Sequence, residues 1–135
     1  MKLSTQKSVR YALIEDEYFT AESIKRMIGQ IRSDYQLVAE AATIDEAQQA
    51  IAETKPDLVI SDIHLADGVA NELLQSLSIP LIIFTAYDQY RKLFQQPPLM
   101  DYVLKPICEN DVEQALSRYE QYKIIIYTNL KTRQL

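Results

Sequence analysis

Five polar residues stand directly after four apolar runs of the sequence, at Glu15, Asp16, Asp62, Thr85 and Lys105. Three carboxylates crowded together would repel by about 4 kcal/mol per close pair at an effective dielectric of 20, so they require a cation or raised pKa values. Magnesium suits such a cluster, because it prefers one or two carboxylates together with waters and a substrate phosphate. A lysine can neutralise the oxygens of a transferring phosphoryl group, and an aspartate can accept that group. These residue types therefore predict phosphorylation of Asp62.

The apolar runs alternate with longer amphipathic segments, which is typical of βα units. The pattern predicts five strands, at residues 9–14, 37–41, 57–62, 81–85 and 102–104. It predicts a helix after each strand, at about residues 19–31, 43–52, 69–77, 88–95 and 110–122. Right-handed crossovers place such helices on both faces of a parallel sheet, which gives a three-layer, doubly wound α/β fold. Ligands of these folds bind at the carboxyl ends of the strands, where the polar residues stand.

The composition indicates one globular domain that folds alone. Of the 135 residues, 47% are hydrophobic and 24% are charged, which is wrong for a disordered chain. The apolar runs are too short to span a membrane, and the amino end lacks the apolar stretch of a secretory signal. Cys108 is the only cysteine, so an internal disulfide is excluded, and with His64 alone it cannot supply a usual structural zinc site. We therefore expect a cytoplasmic protein.

The formal net charge of −5 argues against direct nucleic-acid binding, because affinity for the phosphate backbone comes largely from clustered lysine and arginine. Any contact with DNA would require a separate effector domain.

Four motifs, in this order, resemble the receiver domain of two-component response regulators (CheY-like) over residues 8–123. They are Ala-Leu-Ile-Glu-Asp-Glu at 12–17, Asp-Leu-Val-Ile-Ser-Asp at 57–62, Phe-Thr-Ala at 84–86 and Asp-Tyr-Val-Leu-Lys-Pro at 101–106. The last two, with their flanking residues, most resemble receivers that precede LytTR-type DNA-binding domains. The resemblance implies a flavodoxin-like (βα)5 fold with strand order 2-1-3-4-5. It also implies a signalling domain that is no enzyme beyond its own phosphotransfer and dephosphorylation.

The resemblance assigns roles to the residues at the strand ends. Asp62 would be the phosphoacceptor, and Thr85 and Lys105 would contact the phosphoryl group. Mg²⁺ would be held by Asp16, by Asp62 and by the backbone carbonyl of His64, with Glu15 as a more peripheral acid in the same pocket. The Lys105-Pro106 peptide bond would be cis.

The resemblance also implies a switch and partners. The phosphate would pull Thr85 and Lys105 towards it and so change the surface of the fourth helix, fifth strand and fifth helix. Tyr102 would turn inward when Thr85 moves. Tyr87 and Tyr90 are expected near this surface. The partners would be a sensor histidine kinase, a second copy bound through this surface, and an effector that controls transcription.

Some residues depart from the family pattern. Glu15 stands where the family more often has Asp, and Ala66 and Ala70 replace a usual Pro and Gly. Thr85 stands only 23 positions after Asp62, which implies that the third helix has lost one or two turns. These departures keep a second hypothesis open, a receiver that signals by protein contact without phosphorylation.

Two enzymes of the same architecture fit less well. A flavodoxin should present Ser, Thr and Gly after its first strand, whereas the acidic residues 15–17 would repel phosphate. A haloacid-type phosphatase would need a second Asp two residues after its nucleophile, and Asp16 is followed by Glu17-Tyr18 instead.

The tail at residues 124–135 is too apolar for a free linker. It either extends the last helix into a partner surface or begins a truncated effector domain, and we favour the second interpretation.

Overall fold

Five parallel strands form the central sheet of the computed structural model, which describes residues 8–133. They are β1 Arg10–Ile14, β2 Gln36–Ala41, β3 Leu58–Ser61, β4 Leu81–Thr85 and β5 Leu99–Leu104. The order in space is β2-β1-β3-β4-β5, so the predicted 2-1-3-4-5 order is confirmed. Every residue of β3 and β4 is buried, as expected of strands that are covered on both faces.

Helices cover both faces of this sheet and give the predicted three layers. They are α1 Tyr18–Ile31, α2 Ile44–Thr54, α3 Asn71–Gln75 and α4 Glu109–Arg133. Because successive side chains of a strand point to opposite faces, Leu13 of β1 packs in the layer of α1 and α4, and Ile14 packs in the layer of α2 and α3.

The helix α2 begins with side-chain caps. The Glu46 N–H donates to the Thr43 hydroxyl at 3.1 Å, and Glu46 Oε1 accepts from the Ala42 N–H at 3.0 Å. These bonds satisfy donors that the first turn of a helix leaves without partners. The cap fixes where the chain leaves β2 and enters α2.

The segment between β3 and α3 contains a short hairpin that the sequence pattern did not predict. Its strands are His64–Leu65 and Gly68–Val69, and Gly68 has a φ of +144°, which only glycine adopts without strain. The Ile44 N–H donates to Asp67 Oδ1 at 2.7 Å, so the hairpin is tied to the start of α2. The predicted shortening of the third helix is confirmed, since α3 has five residues and begins at Asn71 instead of residue 69.

The fourth predicted helix is wrong in type. Asp88–Leu93 is a 3₁₀ helix with no buried residue. Pro97 and Pro98 follow closely and cannot continue a helix, and short 3₁₀ runs are common in such connections. The strand after it, β5, begins at Leu99, three residues earlier than predicted.

The last helix, α4, continues without a break to Arg133. Beyond Tyr122 it leaves the sheet, and its large apolar side chains are exposed, namely Ile124, Ile125, Ile126, Tyr127 and Leu130. Residues 124–133 therefore extend the last helix. Their assignment to a separate domain stays a prediction. Within the described part of the chain, no helix is long and apolar enough to cross a membrane.

Candidate functional site

A lysine ammonium joins two carboxylates at the carboxyl edge of the sheet. Lys105 Nζ lies 2.6 Å from Asp62 Oδ2 and 2.7 Å from Glu15 Oε1. The side chains of Glu15 and Asp62 are 2% and 8% exposed, and that of Lys105 is 19% exposed. The predicted meeting of these three residues is therefore confirmed.

Parallel strand pairing brings the three residues together. Ile14 of β1 pairs with Ser61 of β3, and the Asp62 N–H donates to the Ile14 carbonyl at 2.9 Å. On the other side, the Lys105 N–H donates to the Thr85 carbonyl at 2.8 Å. Because every strand runs in the same direction, each chain leaves the sheet at this edge. The predicted cis peptide bond between Lys105 and Pro106 is confirmed.

Both carboxylate oxygens of Asp62 have partners. Oδ2 contacts the Lys105 ammonium, and Oδ1 accepts from the Ile63 N–H at 2.6 Å. The carboxylate is thus held in one orientation, with its Oδ2 directed to the charged centre of the site.

Glu15 is the most deeply buried carboxylate of the site. Burial raises its pKa, and the nearby Asp62 charge adds to this, while hydrogen bonds from Lys105 and from the Glu17 N–H oppose it. Burial alone would lower the pKa of Lys105, but the hydrogen bonds to Asp62 and Glu15 outweigh it and raise that pKa. One ammonium therefore contacts two carboxylates, and the formal charges of these three side chains sum to −1.

Asp16 lies outside this ion-pair cluster. Its side chain is exposed, whereas Glu15 is directed to Lys105. Across residues 8–133, no three His, Cys, Asp or Glu side chains gather closely enough to form a metal cluster. The donors nevertheless fit magnesium, which takes oxygen ligands and retains several waters. The net negative charge of the Glu15, Asp62 and Lys105 side chains also favours a cation.

Thr85 and Tyr102 are both buried beside the site. Thr85 is completely buried, and its hydroxyl accepts from the Tyr87 N–H at 3.4 Å. Tyr102 is 5% exposed and packs inward in the core, and its hydroxyl donates to the Tyr87 carbonyl. Tyr87 therefore contacts both residues of the predicted switch.

An aromatic group near Asp62 was missed by the sequence reasoning, which gave no function to the His64 ring. This ring stacks on Tyr87 with centroids 3.9 Å apart and planes at 16°, and His64 Nε2 lies 2.9 Å from the Tyr90 hydroxyl. A signal was present in the sequence. His64 and Tyr87 each stand two residues beyond a predicted strand-end residue, and neighbouring strands place such positions side by side.

The strand order and the buried lysine contacts agree with one known family. Residues 12–117 match the family model of the response regulator receiver domain. The chain belongs to this family. Receivers are signalling domains, and the resemblance indicated by the four sequence motifs is confirmed.

Relatives of this receiver include LytT-type proteins. The chain is 30% identical over 120 residues to the sensory transduction protein LytT of Bacillus anthracis. The aligned part is 85% of this chain and 48% of that protein. The chain is 32% identical over 111 residues to the positive alginate biosynthesis regulatory protein of Pseudomonas aeruginosa, covering 78% of the chain and 45% of that protein. The chain thus spans about half the length of these relatives.

Solved structures have the same fold. The receiver domain of the PhyR response regulator from Erythrobacter litoralis is similar with a TM-score of 0.67 and 31% identity, covering 83% of this chain and 89% of that one. The response regulator PhyR from Brucella abortus is similar with a TM-score of 0.70 and 31% identity, covering 92% of this chain and 54% of that one.

Proposed function

We propose that this receiver accepts a phosphoryl group on Asp62 from a sensor histidine kinase in the cytoplasm. The observation that carries the proposal is the contact of the Lys105 ammonium with Asp62 Oδ2 at the buried edge of the sheet. The Asp62 carboxylate is held in one orientation as the nucleophile, and the Lys105 ammonium lies beside it. Phosphoryl transfer depends on such positioning and charge stabilisation.

In the proposed reaction, the phosphoryl group moves from a phosphohistidine of the kinase to Asp62. Asp62 Oδ2 attacks the phosphorus of a phosphohistidine, the new P–O bond forms, and the P–N bond breaks. The electron pair of that bond goes to the imidazole nitrogen, which takes a proton from water. The Lys105 ammonium, 2.6 Å from Asp62 Oδ2, would contact an oxygen of the transferred group. The Thr85 hydroxyl would donate to another oxygen, because Thr85 ends β4, the strand next to β3.

Magnesium would be held by Asp16, Asp62 and the His64 backbone carbonyl, with Glu15 nearby. When bound, it supplies positive charge that the oxygens of the transferring group need. Glu15 contributes negative charge and accepts a hydrogen bond from the Lys105 ammonium at 2.7 Å.

The output surface consists of the 3₁₀ segment 88–93, β5 and α4. A phosphoryl group adds about 1.5 to 2 negative charges, which attract Lys105 and the Thr85 hydroxyl. Leu93 and Leu104 on this surface are 43% and 42% exposed, which favours contact with another apolar surface. We propose that phosphorylation changes homodimerisation or effector docking here. Transcription is the proposed output, since relatives bear the names of regulatory proteins.

Phosphorylation is tested by intact-protein mass spectrometry after incubation with Mg²⁺ and acetyl phosphate, and separately with phosphorylated histidine kinases. We expect the mass increase of one phosphoryl group in the wild type and none in Asp62→Asn. Asp34→Asn is the matched control, because Asp34 is an exposed aspartate far from β3 in sequence, and it should be modified like the wild type. Modification of Asp62→Asn would contradict the proposal. A wild type that stays unmodified with every donor would also contradict the proposal. That result would favour a receiver that signals by protein contact without phosphorylation.

A further inference from the structure

Arg91 of the 3₁₀ segment contacts Tyr102 in two ways. Its guanidinium carbon lies 4.6 Å from the centroid of the Tyr102 ring, and Nη1 donates to the Tyr102 carbonyl at 3.1 Å. Its Nε donates to Asp88 Oδ1 at 2.8 Å. Because the guanidinium is planar with donors in fixed directions, these contacts together set its orientation over the ring.

Tyr102 connects Arg91 to the residues at the strand ends through hydrogen bonds of Tyr87. Its hydroxyl donates to the Tyr87 carbonyl, and the Tyr87 N–H donates to the Thr85 hydroxyl at 3.4 Å. The Tyr87 ring stacks on His64, two residues from Asp62. A continuous series of contacts therefore links Arg91 to both sides of the site.

We propose that Arg91 is a positioning residue that holds Tyr102 inward and, through Tyr87, sets the orientation of the Thr85 hydroxyl. None of the Arg91 contacts involves Glu15, Asp62 or Lys105. The inward orientation of Tyr102 thus has a support of its own, separate from the phosphoryl site. The consequence for phosphorylation rests on the proposed function: the site is arranged in advance, so the reaction need not first move Tyr102.

A purely local role for Arg91 is the competing explanation. Arg91 and Asp88 form an i,i+3 ion pair, and both side chains are about half exposed, at 49% and 61%. Such a pair would stabilise the 3₁₀ segment without setting Tyr102. The two roles differ in what Arg91→Ala does to the Tyr102 ring.

The ring is observed by ¹⁹F NMR of the unphosphorylated protein labelled with fluorotyrosine. Tyr102→Phe identifies the Tyr102 signal among those of the nine tyrosines. A soluble paramagnetic agent then reports how much of the time this ring is accessible to solvent. Arg91→Ala should raise the accessible fraction about two- to fivefold, the ratio expected from losing a cation–π contact at a partly exposed site.

Two further variants serve as controls. Lys92→Ala removes an exposed cation from the same segment and should leave the Tyr102 signal unchanged. Arg91→Lys keeps the charge but loses the planar donors, so it should restore only part of the protection. A Tyr102 ring equally protected in Arg91→Ala and the wild type would overturn the proposal.

Phosphorylation by acetyl phosphate is the second readout. Arg91→Ala should slow the reaction by a factor similar to the gain in ring accessibility, and Lys92→Ala should not. An exposed Tyr102 with an unchanged rate would overturn the link to the site. If the wild type accepts no phosphoryl group, the proposed function fails, while the NMR result alone decides whether Arg91 positions Tyr102.

Discussion

Replacement of Lys105 by Met leaves two buried carboxylates without their shared cation. In the folded protein both carboxylates contact one ammonium, so their oxygens lie within about 5 Å of each other, and at an effective dielectric of 20 two charges at that distance repel by about 3 kcal/mol. Removal of one partner from a buried ion pair costs about 3 to 5 kcal/mol in other proteins. We therefore expect Lys105→Met to lower the free energy of unfolding by about 3 kcal/mol at pH 7.

The loss should depend on pH with a definite sign. The pKa of Glu15 is already raised in the folded protein, chiefly by burial. The hydrogen bond and the positive charge of Lys105 both oppose this increase, and both disappear in the variant. In the variant, the pKa of Glu15 is therefore higher in the folded state than in the unfolded chain. The free energy of unfolding falls as the pH rises from the unfolded to the folded pKa of Glu15. The difference between variant and wild type should shrink when the pH is lowered from 7 to 5.

Urea unfolding followed by circular dichroism measures this effect, since the chain has no tryptophan. A chelator in the buffer keeps divalent cations from replacing the ammonium. Lys25→Met is a matched control, because Lys25 also contacts two carboxylates, Glu22 and Glu40, but these are 46% and 40% exposed. It should cost less than about 1 kcal/mol. Equal stability of Lys105→Met and the wild type at pH 7, or a loss that is the same at pH 5, would refute the reasoning.

Three further substitutions test the elements that position the site, each by urea unfolding. Phe84→Ala should cost about 3 to 5 kcal/mol, because Phe84 is fully buried between α4 and the sheet, and a smaller loss would show that the core collapses around the cavity. Gly68→Ala should cost about 1 to 3 kcal/mol, because its φ of +144° strains any side chain, and a neutral result would contradict this hairpin. Asp67→Ala should cost about 1 kcal/mol through loss of the bond to the Ile44 N–H, whereas Asp34→Ala should cost almost nothing.

The sheet and the placement of Asp62 and Lys105 at one edge could be predicted because they depend on patterns that the whole fold supports. The apolar run at residues 58–61 indicates a strand covered on both faces, and that strand is central. A parallel sheet then requires that Asp62 and Lys105 share an edge, whatever their side-chain rotamers. Their placement at a common edge is thus a consequence of topology, whereas the contact between their side chains is a finding of the structure.

The details that failed depend on local geometry. The residues at 88–95 have an amphipathic pattern, but the prolines that follow favour a short 3₁₀ helix over an α-helix. The apolar residues at 124–126 left two alternatives open, and α4 continues through them, since adding a residue to an existing helix requires no new nucleus. The assignment of residues 124–135 to a separate domain stays a prediction.

Side-chain partners were the hardest to predict. The sequence placed Glu15 and Asp16 together, but it could not show that Glu15 turns to Lys105 while Asp16 faces solvent. The stack of His64 on Tyr87 and the contact of Arg91 with Tyr102 likewise require the rotamers and the path of the 3₁₀ segment.

Chemical mapping of the phosphorylated residue decides whether Asp62 is the phosphoacceptor. The protein is treated with a phosphodonor and Mg²⁺, the acyl phosphate is reduced with borohydride, and the peptides are sequenced by mass spectrometry. Homoserine, the reduction product of an aspartyl phosphate, should appear at position 62 alone. Reduction at Asp16 or at any other acidic residue, with Asp62 intact, would contradict it.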